Sequence, residues 1–140
     1  MLRKTLYESF RSDSSSSANS VQANSNFSQS FVPTHTFKHP PKDLEVLLVP
    51  GGLGTRAEPP ELLDAIAYIK DVYPRLRYIM SVCTGATLLA RASVLEGKRA
   101  TTNKQSWAFA TSYGKNVTWV PTARWVSDGT LPFLWKVFVV

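Results

Sequence analysis

The 140-residue chain contains a single cysteine, Cys83. A single cysteine excludes a disulfide within the chain and a metal site built from several thiolates. A chain with a single cysteine is compatible with a reducing compartment, and we predict that the protein is cytoplasmic. No stretch of about 18 apolar residues exists, so neither a membrane-spanning helix nor a membrane partner is predicted.

Histidine is also scarce, since only His35 and His39 are present. Their spacing would suit two ligands on one helix face, but neighbouring prolines prevent a helix, so no metal site is predicted. Basic residues exceed acidic ones by 16 to 10, which gives a net charge of +6. The excess is spread thinly and forms no basic stripe, which argues against nucleic-acid binding.

Composition divides the chain into three parts. Hydrophobic residues make up 44% and charged residues 19%, proportions of a soluble globular protein with one domain. Residues 11–30 are dominated by Ser, Asn and Gln and have little to bury, so we predict that the segment 1–30 is disordered. Residues 31–129 form the predicted domain. A divergent apolar tail, 130–140, follows and reads TLPFLWKVFVV.

The domain shows the pattern of an α/β fold. An apolar run at 44–49, LEVLLV, predicts a strand that is covered on both faces, as in a parallel sheet. Residues 59–73 have apolar positions at three- and four-residue spacing, which predicts an amphipathic helix. A second strand at 77–82 completes a right-handed parallel crossover. A helix is predicted at 84–93, and shorter strands at 99–102, 116–120 and 124–126.

Cys83 lies where the second strand gives way to a helix, in the stretch RYIMSVCTGATLLARA. This arrangement holds a nucleophile on a tight turn at the edge of a sheet, and amides at the start of a helix favour the thiolate. The first strand ends in Gly-Gly, which can supply an amide to a developing negative charge. A lone cysteine is nevertheless more often a small buried apolar residue. No histidine or carboxylate lies close to Cys83 in sequence.

Three segments carry a resemblance: LEVLLVPGGLGTR, SVCTGATLLARASVLEGKRATTNK and VPTARWVSDG. Together, over about Ser30 to Gly129, they resemble the ThiJ/PfpI superfamily with its class I glutamine amidotransferase-like fold, and in particular fungal relatives of isocyanide hydratase. The resemblance implies an incomplete, flavodoxin-like three-layer α/β sandwich with a parallel sheet. It implies that Cys83 is the nucleophile and that the amides of Gly52 and Thr84 form the oxyanion site. The Thr84 hydroxyl would contact the reacting group, and no cofactor is implied.

The chain departs from the family pattern in three places. Family members begin with a strand and a loop, FPGFxxLDxxGP, whose acidic side chain meets the cysteine, and neither Glu8 nor Asp13 lies in such a motif. Many relatives have a histidine after the ATT strand, where this chain has Asn103 and Lys104. A TSSGVSAG-type segment is replaced by the tail 130–140. We therefore predict a domain truncated at both ends, through read-through or a truncated gene model, that aggregates or needs a partner.

The predicted function follows from these agreements and departures. The resemblance implies a hydro-lyase that hydrates isocyanides to N-formamides through Cys83 and is impaired by the missing acid. The alternatives are a non-catalytic or redox-sensing cysteine module and a non-functional fragment. The predicted partners are a small-molecule substrate and, through family resemblance, a second copy in a homodimer.

Overall fold

The computed structural model describes residues 5–7, 34–56, 60–128 and 136–140. The strands in these ranges are β1 (Thr5–Tyr7), β2 (Val46–Val49), β3 (Tyr78–Ser81), β4 (Arg99–Ala100), β5 (Thr118–Trp119), β6 (Val126–Asp128) and β7 (Lys136–Val139). The α-helices are α1 (Pro60–Val72), α2 (Gly85–Arg91) and α3 (Trp107–Thr111). Short 3-10 helices follow β2 at Leu53–Arg56 and α1 at Tyr73–Arg75.

Five strands form one sheet in the order β1-β2-β3-β7-β6. β1, β2, β3 and β7 are parallel, whereas β6 runs antiparallel to β7. β4 and β5 form a separate parallel pair. Since β2 and β3 are parallel neighbours with α1 between them in the chain, the predicted crossover and the α/β fold class are confirmed.

The apolar core lies on one face of the sheet. The register aligns two rows of side chains, which are Leu47, Ile79 and Val137, and Val49, Ser81 and Val139. All six are at most 4% exposed and, apart from Ser81, they join one cluster with side chains of α1 and α2. On the opposite face, Met80 is 36% exposed, and Val82 just beyond the strand is 43% exposed. Among the described residues, the helical cover of this sheet is therefore incomplete.

α1 is amphipathic, as predicted, although its most buried positions include Ala65 and Val72 in place of the expected Ile66 and Tyr73. Its buried face consists of Leu62, Ala65, Ile69 and Val72, each 4% exposed or less. These positions recur at three- and four-residue spacing, so they lie on one side of the helix. The regular helix ends before Pro74, which lies in the 3-10 turn and has no amide for a helical hydrogen bond.

The placement of the C-terminal residues differs from the sequence prediction, in which 130–140 lay outside the domain. Residues 136–139 form β7 between β3 and β6. Val137 and Val139 are fully buried, and the Val140 N–H donates to the Ser81 carbonyl at 3.0 Å. A strand needs an apolar residue only at every second position, so VFVV suits the edge of β3. Residues 130–135 lie outside the described residues, and the origin of the tail stays a prediction.

The N-terminal prediction does not hold for Thr5–Tyr7, which lie in the segment expected to be disordered. These residues form β1 and pair in parallel with Val46, Leu47 and Leu48. β-branched and aromatic residues favour such pairing, and the edge of β2 offers free backbone groups for it. The Ser- and Asn-rich stretch 11–30 lies outside the described residues.

Candidate active site

Cys83 lies on the turn between β3 and α2 and is half-buried. Its φ of +57° is uncommon for a residue with a side chain. The Cys83 N–H donates to the Val140 carbonyl at 2.7 Å, and the Thr102 hydroxyl donates to the Cys83 carbonyl at 2.9 Å. Such strained backbone persists where the surroundings impose it, and it clusters at functional sites. The geometry matches the tight strand-to-helix turn that the sequence predicts.

Two glycines let the end of β2 approach this turn. A Cβ on Gly51 would lie 2.7 Å from the Thr84 nitrogen and 2.8 Å from the Cys83 Cβ. A Cβ on Gly85 would meet the carbonyl oxygen of Val49. Since real Cβ atoms do not approach backbone this closely, both positions accept only glycine without movement. The Gly-Gly segment and the cysteine turn are therefore in direct contact.

The structure also brings into contact Gly52 and Thr84, the two residues to which the family resemblance assigns the oxyanion site. The Gly52 N–H donates to the Thr84 Oγ1 at 2.9 Å, and this hydroxyl lies 3.2 Å from the Gly52 carbonyl, to which it donates. Thr55 Oγ1 donates to the same carbonyl at 2.7 Å. The Gly52 amide is therefore engaged by the Thr84 hydroxyl in this state. It can serve as an oxyanion donor only when a ligand displaces that hydroxyl.

The Cys83 sulfur has a partner to which the sequence analysis gave no role. The Asn103 Nδ2 donates to Sγ at 3.2 Å. No Asp, Glu or His within the described ranges hydrogen-bonds the sulfur, so the acid that the family pattern would supply is not found there. The ATT strand offered a partial signal, because Asn103 directly follows it and ligand sites in α/β proteins commonly lie at the carboxyl ends of strands. Sequence alone does not show that an amide there reaches Cys83.

Lys104, the other residue at the histidine position, is directed away from the sulfur. Its Nζ donates to the Thr101 Oγ1 at 2.6 Å and to the Ala123 carbonyl at 2.8 Å, and it lies 4.7 Å from the ring centre of Trp107. Thr101 is buried and donates to the Val120 carbonyl at 2.9 Å. These hydrogen bonds fix the position of the loop that carries Asn103.

The other candidate features lie apart from Cys83. His35 and His39 contact the hydroxyls of their neighbours Thr34 and Thr36, and the described part of the chain has no group of three metal-ligating side chains. A cavity of about 370 Å³ lies at the amino ends of β2 and β3, the edge of the sheet opposite the cysteine turn. No helix in the described ranges is both long enough and apolar enough to cross a membrane.

Comparison with known proteins points to one family. The DJ-1/PfpI family matches residues 11–131. The isonitrile hydratase of Pseudomonas putida is 43% identical over 79 residues, which cover 55% of this chain and 32% of that protein. An uncharacterized protein of Methanocaldococcus jannaschii is 30% identical over 61 residues, which cover 44% and 30% of the two chains. The crystal structure of a ThiJ/PfpI family protein from Pseudomonas syringae matches with a TM-score of 0.53 and 32% identity, over 79% of this chain and 43% of that chain.

The chain thus spans less than a third of the length of these curated relatives and less than half of the structural relative. These relatives are bacterial and archaeal, so the link to fungal proteins stays a prediction. The family match extends over most of the chain and includes both the Gly-Gly segment and the cysteine turn. From its sequence and its fold, the protein belongs to the DJ-1/PfpI family.

Proposed function

We propose that the protein hydrates small isocyanides to N-substituted formamides, with Cys83 as the nucleophile. The observation that carries this proposal is the strained, half-buried Cys83 turn, in contact with the Gly-Gly segment and with an N–H donor on its sulfur. The identity of 43% over 79 residues with an isonitrile hydratase supports this choice of reaction within the family. The fold alone would not identify the reaction, because one fold can host many different activities.

The reaction balances in two steps. The Cys83 thiolate forms a C–S bond to the terminal carbon of R–N≡C, and that carbon takes one proton, which leaves a thioimidate, R–N=CH–S–Cys83. Water then adds to the same carbon, and its two protons pass to the nitrogen and to solvent. The C–S bond breaks, the formamide R–NH–CHO leaves, and the thiolate is regenerated.

Thr84 and Gly52 would act at the second step, when water becomes an alkoxide on the tetrahedral carbon. The Thr84 N–H lies next to Cys83 and, within the described residues, donates none of the loop or turn hydrogen bonds, so it can donate to this oxygen. The Gly52 N–H would join it after the substrate displaces the Thr84 hydroxyl. Preorganised donors of this kind typically contribute about a hundredfold to a thousandfold each.

The proton in the first step must come from solvent if the described residues are the whole site, because none of their carboxyl groups hydrogen-bonds the sulfur. A positioned acid typically contributes about 10²- to 10⁴-fold. We therefore expect slow turnover, lower by about that factor than turnover by the Pseudomonas putida isonitrile hydratase under the same conditions.

The test is to incubate the purified chain with one alkyl and one aryl isocyanide in ¹⁸O-labelled water and to quantify the formamides by mass spectrometry. The expected result is slow formation of formamide that carries one ¹⁸O atom. Turnover equal to that of the bacterial enzyme would show that an acid is present after all. Absence of product above the protein-free rate would overturn the proposed activity and leave the two alternatives, a non-catalytic or redox-sensing cysteine module and a non-functional fragment.

A further inference from the structure

In the contact between Asn103 and Cys83, the side-chain amide is the hydrogen-bond donor and the sulfur is the acceptor. A side-chain amide nitrogen donates hydrogen bonds but does not release its proton, so it stabilises a thiolate without serving as an acid. Hydrogen bonds to charged groups are also stronger than those between neutral groups. Asn103 is the hydrogen-bond partner of Sγ within the described residues.

A second hydrogen bond fixes the orientation of this amide. The Ser106 N–H donates to the Asn103 Oδ1 at 3.1 Å and shares the same hydrogen with the Asn103 carbonyl at 3.2 Å. A flipped amide would turn its NH₂ group toward the Ser106 N–H and its oxygen toward the sulfur, which would lose both side-chain bonds. The Asn103 donor is therefore directed at Sγ.

Arg56 connects this arrangement to the loop that follows β2. Its Nη2 donates to the Ser106 Oγ at 3.0 Å, and its guanidinium lies 4.4 Å from the ring centre of Phe109 in α3. Arg56 ends the 3-10 helix that begins directly after Gly52. Contacts thus run from Arg56 through Ser106 to Asn103 and then to the sulfur.

We propose that Asn103 is the residue that donates to the Cys83 sulfur anion during the reaction, and that Ser106 and Arg56 position Asn103. This inference rests on the proposed role of Cys83 as nucleophile. It assigns to a neutral amide the task of stabilising the sulfur anion, while the proton for the substrate is supplied separately. It also gives Arg56, an exposed residue on the Gly-Gly loop, a role in the geometry of the site.

A donor on the sulfur has opposite effects on the amount of thiolate and on its intrinsic reactivity. Loss of the Asn103 donor removes a hydrogen bond to the charged form of the sulfur, and bonds to charged groups typically contribute a factor of about tenfold to a hundredfold. The remaining thiolate is more nucleophilic, because nucleophilicity rises with basicity with a Brønsted slope of about 0.4–0.5. The net expectation is a variant that reacts about three- to tenfold more slowly near pH 7, yet faster at about pH 10 and above, where thiols are ionised in any case.

The test is the rate of Cys83 alkylation by iodoacetamide, a neutral probe, across this pH range. Asn103→Leu is the decisive variant, because Leu is close to Asn in size, carries no charge and has no donor, whereas Asp would place a negative charge beside the sulfur and disfavour the thiolate by repulsion alone. We expect slower alkylation near pH 7 and a crossover at high pH. Ser106→Ala and Arg56→Gln should show the same pattern with a smaller amplitude. Gln105→Ala, at an exposed neighbour in the same loop, is the control and should match the wild type.

A purely structural Asn103 predicts a different result. If Asn103→Leu reacts at the wild-type rate at both pH values, the Asn103 side chain only stabilises its own loop and the proposal is wrong. A uniform loss without crossover would mean altered access to the sulfur and would also overturn it. The iodoacetamide readout does not depend on isocyanide chemistry. A crossover in a protein that makes no formamide would therefore reject the proposed activity while supporting the role of Asn103.

Discussion

Replacement of Cys83 by Ser is expected to lower formamide formation by at least about a thousandfold, to the protein-free rate. A serine hydroxyl stays un-ionised near neutral pH, and a serine nucleophile needs an adjacent base. No histidine or carboxylate in the described residues hydrogen-bonds the side chain of residue 83, so a serine at this position would have no such base. Ser and Cys are nearly isosteric, so the strained turn and its backbone bonds should persist.

A second thiol serves as the control for this prediction. Ser93 also has a positive φ, +61°, and its side chain is exposed. Adding Ser93→Cys to the Cys83→Ser protein restores a thiol at a similar backbone conformation but away from Gly52 and Asn103. The double variant should stay inactive. Formamide formation that survives Cys83→Ser would exclude Cys83 as the nucleophile.

Gly85→Ala is expected to destabilise the fold by at least about 3 kcal/mol, measured by urea unfolding. The new Cβ would meet the Val49 carbonyl and lie 2.8 Å from the Pro50 carbonyl oxygen. These are backbone atoms at the end of β2, so they cannot rotate away as a side chain would. Domains are stable by only about 5–15 kcal/mol, so a large part of the protein would be unfolded or aggregated.

Gly54→Ala is the matched control for that substitution. A Cβ at Gly54 has open space around it, and its φ lies outside the left-handed range. We expect a change within about 0.5 kcal/mol there. A Gly85→Ala protein with wild-type stability would mean that β2 and the cysteine turn are not packed as closely as the structure has them.

The elements that the sequence predicts well are those whose own residues show a helical periodicity or a bounded apolar run. α1 has its own helical periodicity, and β2 and β3 are short apolar runs bounded by turn residues, so each can be recognised without its neighbours. The cysteine turn follows from the junction of β3 with α2. Its approach to the Gly-Gly segment was suggested by the two strand ends and made specific by the family resemblance, since spacing alone cannot show which loops meet.

The elements that the sequence analysis missed depend on pairing between distant segments. β7 is a strand because β3 has an open edge beside it, and β1 is a strand because β2 has one. α3 has five residues, too few for a periodic signal. Asn103 was noted only as a departure from the family, because the chain places it 20 residues after Cys83 and only the folded loop brings its amide to the sulfur.

The most direct test of Cys83 as the nucleophile is peptide mass spectrometry of the protein quenched during reaction with an alkyl isocyanide. We expect the peptide that contains Cys83 to gain the mass of one isocyanide, because a thioimidate retains all of its atoms. The adduct should accumulate early and disappear as formamide forms. Steady formamide production with an unmodified Cys83 peptide at every time point, or an adduct on another residue, would contradict the account.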